Sequence, residues 1–247
     1  DLGQRDLYDF MKFFTVSVGD FLDEFFESDL IKAHKAGSAV VGTNLGPRSP
    51  GTAYVLLHHY MGDVDGAVGA WGFPRGGMGS VSGALAGALQ EHGGEIRINA
   101  GVDKIMVKRG KVTGVRLENG EEILADRVVS NVDAKKTFLG LMEPEDAGEK
   151  VVKAAKRYKS RGSSGKLNIA LNGVPEFTAL PKGSELIKGD FHIVDNMESY
   201  ERGYDEWKDG MWSTNPYLDI LIPTLTDPTM APPGKHFMTC FVQYCPA

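Results

Sequence analysis

A mixed fold, α+β to α/β in class, is what this sequence predicts, and three observations carry the prediction. Phenylalanines recur at three- and four-residue spacing near the start of the chain, the period of a helix. Between Val102 and Val129 the apolar residues switch to a period of two, and Arg109-Gly110 and Asn119-Gly120 cut that stretch as hairpin turns would. A second strand-like region follows Lys166. The 247 residues, 42% hydrophobic and 24% charged, are an ordinary globular balance, with room for one large domain or two modest ones.

Taken in order, Phe10, Phe13 and Phe14 and then Phe21, Leu22, Phe25 and Phe26 predict two helices with their aromatic stripes buried. Ser17 with Asp20 reads as a capping box for the second helix. Gly46-Pro-Arg-Ser-Pro-Gly51 is a loop signal. Tyr54 to Met61 is apolar but carries the adjacent His58 and His59, whose side chains diverge on a helix or a strand. With no carboxylate at ligand spacing beside them, no metal site is expected there.

Trp71-Gly-Phe-Pro-Arg-Gly-Gly-Met-Gly-Ser-Val-Ser-Gly83 leads into a helix of small residues from Ser80 to His92, which Gly93-Gly94 closes. A glycine loop before a helix offers exposed N–H groups to an anion. A dinucleotide loop also needs a strand directly upstream, and Gly66 to Arg75 is broken by glycine and proline. The cluster therefore reads as a tight turn feeding a helix that packs flush against a sheet, and a compatible functional reading is a bare edge bordering a flat cofactor or substrate. Val102–Val107, Val112–Leu117 and Glu122–Val129 predict a three-stranded meander. A charged helix from Glu143 to Lys159 follows, then strands at Lys166–Leu171, Tyr217–Ile222 and Phe237–Tyr244.

A net charge of −6 argues against a phosphate-binding surface. The basic cluster from Lys150 to Lys166 reads as a solvated helix face, and no nucleic-acid partner is expected. The two cysteines, Cys240 and Cys245, are oddly spaced in an extended run and should not pair, which favours a reducing compartment. No apolar run approaches the length of a membrane span. The absence of an initial Met marks the chain as an internal stretch of a longer protein. No Gly-x-Ser-x-Gly, His-Glu-x-x-His, Walker A or Cys-x-x-Cys motif occurs, so hydrolytic chemistry has no visible nucleophile and catalytic residues cannot be assigned.

The segments GGMGSVSGALAGALQEHGGEIRINAGVDKIMV, GVRLENGEEILADRVVSNVDAKKTF and DPTMAPPGKHFMTCFVQYCPA together resemble the phytoene-desaturase-like branch of FAD-dependent oxidoreductases. SPGTAYVLLHHYMG with GAWGFPRGGMG is similar to a pyridine nucleotide-disulfide oxidoreductase-domain group within it. The resemblance implies a partial FAD-binding, Rossmann-like domain with a β-meander, joined to a substrate domain of mixed sheet covered by helices. Residues 72–140 would be FAD-domain material, with 1–71 and 141–247 in the substrate domain. It also implies FAD contacts at Val102 (through its backbone), Ser130, Asn131 and the Gly76-Gly77-Met78 turn. His58, His59, Tyr60 and Trp71 are the substrate-facing candidates. The two outer FAD-binding segments of the family are missing, so this stretch alone should be inactive and without cofactor.

The implied activity is hydride transfer from an apolar or amine-like substrate to flavin. A cytoplasmic location in a prokaryote, or a mitochondrial one in a eukaryote, goes with it. The competing reading is a protein-interaction module whose surface is the acidic aromatic loop from Glu198 to Trp207.

Overall fold

The computed structural model describes residues 3–246. The chain divides into two compact units, one formed by residues up to Ala84 together with Arg161 onward, the other by Leu85–Ser160.

The first unit opens with helices α1 (Gln4–Thr15), α2 (Val18–Asp23), α3 (Asp29–Val40) and α4 (Thr52–His59). Ser17 caps α2 by accepting the Asp20 N–H at 3.1 Å, as predicted, but the return bond of the box differs: the Ser17 hydroxyl, not its backbone N–H, donates to Asp20 Oδ2, at 2.7 Å. The phenylalanine stripe is not buried. Phe10, Phe14, Phe25 and Phe26 are exposed, while Val18 and Leu22 supply the inward face of α2. The rings instead pack on one another, Phe14 stacked on Tyr54 at 4.5 Å, with Phe10 tilted against Phe14 at 4.6 Å and Phe21 against Phe25 at 5.0 Å. Helical spacing marks an apolar face without saying which face meets the core.

After α4 a short hairpin, β1 (Asp63–Val64) and β2 (Ala67–Val68), precedes α5 (Gly79–Glu91). Helix α5 ends in a Schellman arrangement, with the Gly93 N–H on Gln90 O at 2.9 Å and the Gly94 N–H on Leu89 O at 2.8 Å.

The second unit holds the meander β3 (Val102–Lys108), β4 (Lys111–Leu117) and β5 (Glu122–Leu124), paired in that order and antiparallel. Arg109 and Gly110 both take positive φ, 54° and 74°, as a two-residue primed turn requires. The third strand is shorter than the Glu122–Val129 predicted. Its last ladder bond runs from the Ala125 N–H to Thr113 O at 3.1 Å, and in that register Val128 and Val129 would lie opposite the β3–β4 turn, where no edge remains to pair. Helices α6 (Pro144–Ala147) and α7 (Glu149–Arg157) replace the single predicted helix. Gly148, at φ 79°, makes the break.

Returning to the first unit, β6 (Ser164–Leu171), β7 (Phe191–Ile193), helix α8 (Met197–Lys208), β8 (Tyr217–Leu221) and β9 (His236–Gln243) complete it. The strands form one antiparallel sheet in the order β6-β9-β8-β7. The stretch Glu198–Trp207, read from sequence as a surface loop, is the body of α8. Asn196 caps it through the Ser199 N–H at 2.8 Å, and Met197, Tyr200, Gly203 and Trp207 turn inward at helical spacing. Strand β9 stops at Gln243, short of the chain's end, and the Cys245 N–H bonds Ser163 O at 2.8 Å.

The core lies between α2, α3, α8 and one end of the sheet: Val18, Leu22, Ala33, Ala36, Ala39, Val40, Met197, Tyr200, Trp207, Tyr217 and Tyr244. Alanines on α3 allow close approach, and Tyr200 stacks on Tyr217 at 4.9 Å. Each fully buried large side chain here contributes roughly 1.5–3 kcal/mol. Arg161 closes one edge, its guanidinium 4.1 Å from the Trp207 ring and donating to Trp207 O at 2.6 Å.

The helix-facing side of the sheet carries three cross-strand rows, since residues paired across strands share a face. Tyr217, Gln243 and Ser164 form the first; His192, Asp219, Phe241 and Lys166 the second; Leu221, Thr239 and Asn168 the third. Along β8, then, one face runs from aromatic core through an ionisable row to an apolar end.

Candidate functional site

The apolar end of that face meets the glycine turn. Gly76 and Gly77 take φ of 84° and 83°, a conformation that glycine adopts without strain. The Gly76 N–H donates to Asp227 Oδ2 at 2.6 Å, and Asp227 Oδ1 accepts from Thr229. These bonds, the one from Gly76 foremost, hold the Asp227 carboxyl below the usual carboxylate range. A Cβ at Gly77 would meet Met230 Cε at 2.7 Å. The bare backbone therefore lets the turn lock against the β8–β9 connection.

Beneath the turn lies a cavity of about 790 Å³, within the range of small-molecule sites. Trp71, Phe73 and Met78 wall it on the turn side, and Leu221, Phe237 and Thr239 on the sheet side. Arg75, Lys166 and Lys188 add positive groups to its lining.

Trp71, Phe73 and Leu221 also line a second cavity, of about 360 Å³. There the structure brings together three of the four predicted substrate-facing residues. Trp71 stacks on His59 at 5.9 Å with rings 5° from parallel, its indole N–H reaches His59 O at 3.2 Å, and Tyr60 completes the wall. His58 is exposed on the far side of α4 and turned 86° from His59.

Sequence reasoning missed the ionisable part of this second cavity: His34, Asp190, His192 and Asp219. Asp190-x-His192 was legible as a pair, but only strand pairing sets Asp219 opposite His192. Burial, and then Asp190 alongside, push the Asp219 carboxyl up to about 7. Burial also lowers His34, with His192 adding to the effect.

The remaining cofactor candidates lie in the meander unit. Val102 opens β3 opposite Leu117. Ser130 Oγ shares a hydrogen bond with Thr137 Oγ1 at 2.8 Å, and Asn131 is exposed. An FAD pyrophosphate needs a cluster of free N–H donors, best at a helix start. Among the described residues the glycine turn before α5 is the place of that shape, and its Gly76 N–H is already taken by Asp227. What remains is exposed small-residue backbone: a Cβ at Gly79, Gly83 or Gly87 of α5 would meet nothing within 4 Å. These residues fit the border of a flat cofactor but not its phosphate cradle.

The fold and site define an α+β chain with a bare glycine turn over a largely apolar cavity of small-molecule size. More narrowly, it belongs to the flavin containing amine oxidoreductase family, whose model matches residues 3–209. It is 36% identical over 239 residues to the pyridine nucleotide-disulfide oxidoreductase domain-containing protein 2 of Rattus norvegicus, covering 94% of this chain and 41% of that protein. It is 30% identical over 220 residues to the lycopene-forming phytoene desaturase of Pseudescherichia vulneris, with 88% and 41% covered. The chain thus spans about two fifths of the length of these relatives. Among solved structures it is similar to an oxidoreductase from Methanosarcina mazei, at TM-score 0.59 and 20% identity over 93% of this chain and 47% of that one. That likeness shows the fold alone.

Proposed function

We propose that this chain is the substrate-facing portion of an FAD-dependent oxidoreductase that removes hydride from an apolar substrate. The observation that carries the reading is the cavity walled by Trp71, Phe73, Leu221, Phe237 and Thr239 directly beneath the Gly76-Gly77-Met78 turn. When bound, the flavin supplies the hydride acceptor. The chain's own residues bind the substrate, orient it and exclude water. Trp71, fixed to His59 by stacking and by its indole N–H, forms a rigid wall between the two cavities. The Asp227 clamp keeps the turn, and so the cavity roof, at a fixed height. Between an apolar and an amine-like substrate, the lining favours the apolar one, because its basic groups, Arg75, Lys166 and Lys188, outnumber its one carboxylate, Asp227, and would repel an ammonium. Val102, Ser130 and Asn131 are proposed to border the cofactor, with residues 72–140 as its domain and the remainder as the substrate domain.

The test uses the full-length flavoprotein. Anaerobic flavin reduction by a long polyene should be fast in the parent and much slower in Thr239→Trp, which narrows the cavity, while bound flavin stays at its normal level. Reduction by an alkylamine but not the polyene would overturn the substrate class, and full activity in Thr239→Trp would overturn the site. The interaction-module reading loses its surface, because Tyr200 and Trp207 of α8 are buried.

A further inference from the structure

Two half-buried carboxylates face each other on the sheet with no ammonium or guanidinium to neutralise them. Asp190 immediately precedes β7, His192 lies within it, and Asp219 sits opposite His192 on β8. The ligand-capable atoms of all three lie within 4.8 Å of one another, with His192 Nε2 3.2 Å from Asp190 Oδ2. Among the described residues, no Lys or Arg nitrogen comes within 4.0 Å of either carboxylate. Lys166 lies two strands away in the same cross-strand row with Phe241 between, and its charge is only a minor influence on Asp219.

The imidazole adds a second, independent observation. The His192 side chain is only 6% exposed, and its Nδ1 is buried without a hydrogen-bond partner. The edge of Tyr217 at 5.1 Å and the His34 ring at 4.4 Å hold it in place. Buried polar atoms are rarely left unpaired without a reason such as an ion or water, and carboxylates this close favour a positive charge between them. That charge is a shared proton, a protonated His192 or a bound cation, and the donors discriminate among cations. Imidazole nitrogen with carboxylate oxygens suits first-row transition dications, whereas Mg²⁺ and Ca²⁺ favour oxygen alone. Donors on paired strands are also rigidly spaced, and the adjoining cavity of about 360 Å³ leaves coordination positions for water.

The geometry points to a divalent transition-metal site formed by Asp190, His192 and Asp219, with His34 in its wall. It lies wholly within the sheet-bearing unit and uses none of the residues proposed to border the flavin. The oxidoreductase reading and this site can therefore fail separately.

The purified chain, stripped with a chelator, is titrated with Zn²⁺ by calorimetry, and its metal content after dialysis is measured by mass spectrometry. The expected result is one Zn²⁺ per chain, undisturbed by excess Mg²⁺ or Ca²⁺, and weakened about tenfold or more in Asp219→Asn and in His192→Gln. Circular dichroism checks that both variants are folded. Should either unfold, Co²⁺ added to the unaltered chain gives a separate readout, with the visible bands of a low-coordinate nitrogen–oxygen site expected. An octahedral aquo-ion spectrum overturns the site. So does Zn²⁺ uptake that survives both substitutions but vanishes in His58→Gln with His59→Gln, and so does no uptake at all, which leaves a shared proton or a protonated His192 as the neutralising charge.

Discussion

At the scale of single residues, what a side chain touches decides whether its loss is felt in stability or in function. Trp71 is 64% exposed and packs chiefly on His59, so Trp71→Ala should change stability by no more than about 0.5 kcal/mol. In the full-length enzyme the same change should raise KM, because it opens the wall between the two cavities; an unaltered KM would show that substrate does not touch the indole. Gly37 is the opposite case. Its backbone lies against the buried Tyr217 side chain, and an added Cβ would come within 2.7 Å of ring carbon Cε2. Tyr217 is held by Tyr200, so crowding should outweigh the helix propensity gained by alanine, and Gly37→Ala should cost about 1–3 kcal/mol in urea unfolding. Glu201 carries a pH effect. Burial raises its carboxyl above the ordinary 4.5, although the Arg48 N–H pulls the other way. The folded state therefore holds this proton more tightly than the unfolded state, and the associated stability is present in acid and lost as pH rises just above the usual glutamate range. Urea midpoints followed from pH 4 to 8 should show that decline in the parent and a flatter profile in Glu201→Gln.

Elements were legible where their signals were local. The Ser17 cap, the Arg109-Gly110 turn and the glycine stop of α5 each depend on a few neighbouring residues, and each forms as its residues indicate. Helix α8 was legible but overlooked, because acidic residues between Met197, Tyr200 and Trp207 hide a helical period behind a polar composition. Asn196→Ala should remove about 1 kcal/mol by leaving the Ser199 N–H without its acceptor, and chemical denaturation of the purified chain checks this. The burial of the aromatic stripe on α1 and α2 was not legible, since periodicity identifies a face and not its covering. Nor was the cavity, whose roof depends on Gly76 meeting Asp227 across 151 residues of chain. The Asp190, His192 and Asp219 grouping likewise exists only once β7 and β8 are in register.

For the molecule as a whole, the residues proposed to border a flavin include no cluster of free N–H groups for its phosphates, and no helix among the described residues is long and apolar enough to cross a membrane. The purified chain mixed with FAD should therefore be colourless after desalting, because several charge-assisted hydrogen bonds of roughly 1.5–3 kcal/mol each are lacking. Flavin absorbance that co-elutes near one equivalent would show that the border suffices. The free cysteines give the chain a property of a different kind. Cys240 lies on β9, an interior strand of the four-stranded sheet, Cys245 follows it, and both thiols are buried and unpaired. The meander unit contains no cysteine. Cys245, beyond the end of β9, becomes accessible when the terminal segment lifts, but a thiol-reactive dye can modify Cys240 only when the sheet opens. The labelling rate of Cys240 is a natural clock for that one unit, readable without introducing a single foreign residue.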